Sequence, residues 1–142
     1  MRRKRNNSNS SKGIWFFIIG IIVVVIVIGK FFIGDNSMNI YKDYVKSYEE
    51  AVLKYSNDQL GSTHQMTTYQ YNDFTELLIS TGYLEEWKDT NVTLEADPIV
   101  LEKKDGNTSF YNYYNLETFE NRFEIKFTKA DKTYTCTKNE CK

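Results

Sequence analysis

"NIYKDYVKSYEEAVLKY", residues 39–55, is the stretch on which the fold turns. Tyr41, Tyr44, Tyr48, Ala51 and Tyr55 follow one another at steps of three, four, three and four, with Val45 and Val52 beside them. At 3.6 residues per turn these positions form one apolar stripe, so the spacing predicts a helix from about 38 to 57. Lys42, Asp43, Lys46, Glu49, Glu50 and Lys54 fall on the opposite, solvated face, with Glu50 and Lys54 one helical turn apart. Two heptads make a poor coiled-coil seam, so the stripe is expected to dock on the chain's own sheet.

Upstream lies "SKGIWFFIIGIIVVVIVIGKFFIG", residues 11–34, with no charge from Ile14 to Gly29. If Lys30 snorkels, the apolar run extends over 14–33, and a helix of about 20 residues is about 30 Å long, the thickness of a bilayer's hydrocarbon core. β-branched residues favour strands in water, but in lipid the backbone must satisfy its own hydrogen bonds, and helix wins. A cleaved signal is the rival; the run is too long for one and no A-x-A-like pair follows it. Arg2, Arg3, Lys4, Arg5 and Lys12 precede the run with no acidic residue among them, so the basic tail is expected on the cytoplasmic side. The expected organisation is a basic cytoplasmic tail (1–13), a transmembrane helix (14–33) and an extracytoplasmic α+β domain (34–142), in a single-pass protein of the cell membrane.

Downstream, "SNDQLGSTHQ" reads as a polar loop, and the lone His64 in it as a surface residue. "YNDFTELLISTGYLEEW" predicts a short helix over about 73–81, with Asp73 and Glu76 spaced as a capping box and Gly82 as a left-handed terminator. The remainder is strand-like over about 91–137. Asp105-Gly106 suits a tight hairpin turn, and "RFEIKF" puts Phe123, Ile125 and Phe127 on one face. The expected fold class is α+β: an N-terminal transmembrane helix followed by a helix packed on a small antiparallel sheet.

Charge narrows the partners. The 142 residues hold 18 Lys and Arg against 19 Asp and Glu, and six of the basic residues precede Asp35. Twelve basic and nineteen acidic residues remain from Asp35 onward, a net of −7. Nucleic-acid binding rests on neutralising phosphates, and this domain has the wrong sign for it. No G-x-S-x-G, H-E-x-x-H or glycine-rich phosphate loop occurs, so no catalytic, cofactor-binding or metal-ligating residue is nominated, and no small-molecule substrate. The adjacent acids Glu49/Glu50 and Glu85/Glu86 read as solvated faces, and Glu95 with Asp97 lacks a calcium loop's ligand series.

Cys136 and Cys141 are the two cysteines. Outside the membrane a bridge across "TKNE" would pin the C-terminus; two free thiols and a metal pair are the alternatives. All eleven Tyr lie beyond residue 34, and "SFYNYYNLETF" nominates Tyr111, Tyr113 and Tyr114 as an interaction patch. The plainer alternative is Tyr alternating across a sheet with its hydroxyl wet.

In this order of parts the chain resembles type IV pilin-like proteins and pseudopilins of Gram-positive bacteria. Leu78, Ile79, Gly82, Tyr83 and Leu84 match an "L-I-x-x-G-Y-L" segment between helix and sheet in some of them, and Lys12, Gly13 and Ile14 stand at the prepilin-type processing site. The family places Phe first after the cut and Glu fifth; this chain has Ile14 and Ile18. The resemblance implies a non-catalytic structural or interaction subunit of a surface or secretion assembly, with protein partners in the envelope. The alternatives are a conjugation or secretion scaffold subunit with a helix-plus-sheet domain, and an anchored enzyme.

Overall fold

The structure, a computed structural model, describes residues 36–142. Helix α1 occupies residues 36–59 and buries Tyr41, Val45, Tyr48, Ala51, Val52 and Ser56 along one side. The fold class inferred from sequence is corrected in its first part: among the described residues no helix is long and apolar enough to cross a membrane. Charged residues interleave with the stripe of α1, so it suits one-sided burial on strands rather than lipid all round. The tail 1–13, the run 14–33 and the candidate processing site Lys12, Gly13 and Ile14 lie outside the described residues.

After α1 the chain forms an α+β arrangement: β1 (Gln65–Tyr69), α2 (Tyr71–Ser80), β2 (Val92–Glu95), β3 (Ile99–Lys104), β4 (Asn107–Tyr111), β5 (Tyr113–Asn115), β6 (Glu120–Arg122), β7 (Ile125–Lys129) and β8 (Lys132–Cys136). The single sheet expected from the sequence is instead two antiparallel three-stranded sheets, β1-β3-β4 and β2-β7-β8, with a two-stranded ribbon β5-β6. Pro98, which has no N–H for a ladder, separates β2 from β3, and the two strands join different sheets. β1 begins at Gln65, the last residue of the expected polar loop, and pairs with β3, Thr67 opposite Leu101. It is an edge strand, half exposed, and its "QMTTY" carries no apolar alternation to reveal it.

Helix α2 begins at Tyr71, not at Asp73, and Gln70 at its N-cap makes no side-chain capping bond. Burial of Tyr71 and Phe74 sets the start, and Asp73 falls in the first turn, where a carboxylate favours the positive end of the helix dipole. Its end is a Schellman motif: the Tyr83 N–H donates to the Leu78 oxygen at 2.8 Å and the Gly82 N–H to that of Ile79 at 3.0 Å. Gly82 takes φ +80°, a conformation glycine adopts without a Cβ clash. Asp105 and Gly106 both have positive φ, as a type I′ turn between β3 and β4 requires.

Aromatic rings fill much of the core. Tyr41 stacks on Phe127 with centroids 4.4 Å apart, Tyr48 on Phe123 at 5.1 Å, and Tyr69 on Phe74 at 4.3 Å. Trp87 meets Tyr44 edge-on at 5.1 Å. Offset and edge-to-face pairs of this kind add to plain area burial. Most of the tyrosines are therefore accounted for by the core: Tyr41, Tyr48 and Tyr71 are buried, and Tyr44, Tyr55, Tyr69, Tyr83 and Tyr134 pack partly buried against them.

Candidate interaction surface

Tyr113 and Tyr114 are adjacent residues of β5, and adjacent strand residues point to opposite faces. Tyr113 stands opposite Arg122, and Tyr114 opposite Asn121. A two-stranded ribbon has no third layer with which to bury either face, and both rings are exposed. Tyr111 ends β4 opposite Val100 and is half-buried. The three nominated tyrosines therefore do not form one face: one belongs to a three-stranded sheet and two to opposite sides of the ribbon.

The ribbon's base is fastened by Asn112. Its Nδ2 donates to the Glu124 carbonyl at 2.7 Å, its Oδ1 accepts from the Glu124 N–H at 3.0 Å, and its own N–H donates to the Arg122 carbonyl at 3.0 Å. Arg122 lies 2.9 Å from Glu140 and 3.6 Å from Glu124, and Lys142 lies 3.1 Å from Glu140. Hydrogen bonds from Lys142 and Arg122 hold the Glu140 carboxyl below its usual range.

The ribbon's tip is equally built. Asn115 Oδ1 accepts from the Glu117 N–H at 2.9 Å and the Thr118 N–H at 3.3 Å, an Asx arrangement that fixes the turn. Leu116 and Phe119 project from that turn at 73% and 78% exposure. Tyrosine abundance in the sequence does not point to either. The signal that does is "NLETF": an Asn able to head a turn, followed by apolar residues where a loop ordinarily has polar ones.

Cys136 and Cys141 are bonded, 2.04 Å between sulfurs. They face each other in an antiparallel bridge, flanked by the hydrogen-bonded pairs Thr135/Lys142 and Thr137/Glu140. That makes theirs a non-hydrogen-bonded pair, the closest approach an antiparallel ladder offers, so a cross-strand bridge forms there. His64 is exposed and stands 3.6 Å from Glu102. Among the described residues no cluster of three His, Cys, Asp or Glu is arranged to hold a metal. No family model, curated protein or solved structure matches the chain.

Proposed function

We propose that the protein is a non-catalytic interaction subunit of a surface or secretion assembly, pilin-like in layout, held at the cell membrane with its α+β domain on the outer side. The observation that supports the reading most is the β5–β6 ribbon, which displays Tyr113, Tyr114, Leu116 and Phe119 to solvent on a fixed base. Large apolar side chains grouped on the surface of a soluble domain mark contact sites. The outer location rests on the sequence: five basic residues precede the apolar run, and the basic flank of such a run stays on the cytoplasmic side.

The test is recovery of the full chain from envelopes of its host in mild detergent. It is expected in a complex larger than its own 16.7 kDa, labelled by a membrane-impermeant reagent on intact cells. Migration as a lone monomer under every mild condition, or protection from the outside reagent, would end the reading.

A further inference from the structure

Phe119 combines two unfavourable features in one residue. Its backbone has φ +55°, the left-handed region in which side chains other than Gly, Asn and Asp are strained. Its ring, 78% exposed, gains little from burial in compensation. Leu116 stands three residues earlier in the same turn and is almost as bare. Asn115 at the tip and Asn112 at the base hold this turn in shape with hydrogen bonds of their own. A strained, pre-shaped turn that displays two apolar side chains is costly for an isolated domain and useful to one that inserts them elsewhere, because the ordering is done before binding.

We infer that the β5–β6 tip is a plug: Phe119 and Leu116 enter an apolar pocket of a partner protein whose rim carries basic groups facing Glu117 and Glu120. The inference rests on the interaction-subunit reading and adds to it the site and the chemistry of the partner.

Charge selects the partner. Glu117 and Glu120 adjoin the two apolar residues, and residues 113–120 contain no Lys or Arg. An anionic lipid surface repels such a tip. A second copy of the chain fits no better. Beyond the ribbon, the exposed large apolar side chains of the described domain are Ile40, Leu53 and Met66. Each has a carboxylate beside it: Asp43 one turn from Ile40, Glu50 one turn before Leu53, and Glu102 directly across the ladder from Met66. Two tips brought together would oppose four glutamates. A basic-rimmed pocket meets both the apolar and the acidic part of the tip, and like-charge surfaces are rejected.

The experiment uses the full chain in its host with a photo-crosslinking phenylalanine analogue at position 116 or 119, and at Leu53 as control. The expected result is one discrete adduct with a different protein from both tip positions and none from Leu53. With that protein identified by mass spectrometry and purified, binding to the full chain is expected to fall at least tenfold in Phe119→Ser and in the double variant Glu117→Lys/Glu120→Lys. Both variants are expected to keep the wild-type melting temperature, which separates lost contact from lost fold. Absence of an adduct, an adduct only with a second copy, or binding indifferent to the glutamate reversal overturns the inference. So does binding to phosphatidylcholine or phosphatidylglycerol vesicles that Phe119→Ser abolishes. If Phe119→Ser is still recovered in the envelope complex at wild-type level, the plug falls and the subunit reading stands; a monomer in all conditions removes both.

Discussion

Lys103 Nζ donates to the Ser56 carbonyl oxygen at 2.9 Å and lies 3.3 Å from Asn57 Oδ1, so a lysine of β3 that is only 5% exposed caps the last turn of α1. The Ser56 oxygen also accepts from the Leu60 N–H at 3.1 Å, so the ammonium fills its second acceptor site, where the helix dipole favours a cation. Ser56 Oγ is also engaged, 2.6 Å from Thr108 Oγ1 across the β3–β4 hairpin. Lys103→Met keeps the aliphatic stem and removes the ammonium, and is expected to cost roughly 1.5–3 kcal/mol, the range for losing a hydrogen bond to a charged group. Urea unfolding measures it. An unchanged midpoint would mean that the cap contributes nothing to stability.

Alkaline pH is expected to unfold the domain through its buried phenols. Burial pushes the Tyr44 hydroxyl from its ordinary 10.0 up to about 12, with Glu86 adding to the rise. Tyr48 and Tyr71 are raised further, both chiefly by desolvation. The unfolded chain releases these protons near pH 10 while the folded chain holds them. Above that value the unfolded state binds fewer protons, so stability, fully present below pH 10, falls as pH rises through the folded values. Tyrosinate absorbance and circular dichroism followed together should show these groups ionising in step with unfolding. Ionisation of all three near pH 10 with the fold intact would contradict their burial.

How much of this is legible beforehand depends on whether a residue's neighbours are local. The stripe of Tyr41, Tyr48, Ala51 and Val52 and the alternation of Phe123, Ile125 and Phe127 announce their buried faces, because period alone decides them. Gly82 and the Asp105-Gly106 turn are local too, since their backbone signs follow from residue type. Lys103 is the opposite case. In "LEKK" it reads as one more solvated charge, and only the arrival of α1's last turn makes it buried. The separation of the β5–β6 ribbon from β4 is similarly non-local: Asn112, in a run that reads as one strand, ends β4 because its side chain captures the main chain of Glu124. At the ribbon, tyrosine abundance draws attention to Tyr111, Tyr113 and Tyr114, whereas exposure singles out Leu116 and Phe119, whose isolation no periodicity records.

Phe119→Gly tests the cost of the plug from within the domain. Glycine relieves the left-handed backbone at φ +55° and removes an exposed ring. The relief is about 1–2 kcal/mol, partly offset by the larger backbone freedom of Gly in the unfolded chain. A melting temperature raised by a few degrees is expected, an unusual outcome for a large-to-glycine change. A lowered melting temperature would mean that the ring makes stabilising contacts inside its own domain.

Reduction of the Cys136–Cys141 bridge is expected to loosen the C-terminal segment before it unfolds the domain. A loop this short constrains the unfolded chain by only roughly 2 kcal/mol in the loop-entropy account. The same segment has a second fastening: Lys138 Nζ lies 2.9 Å from Glu49 Oε2, and Glu49 is a largely buried carboxylate of α1. The bridge positions Lys138, and the ion pair ties residues 137–142 to the helix, so the two should reinforce each other. Glu49→Gln is therefore expected to cost more with the bridge intact than after reduction, where the freed segment no longer holds Lys138 in place. Thermal unfolding of wild type and variant, each oxidised and reduced, forms a cycle whose coupling is expected to be about 0.5–1 kcal/mol, near the low end for contacts sharing one segment. Strict additivity would mean that residues 137–142 keep their place on α1 without the bridge.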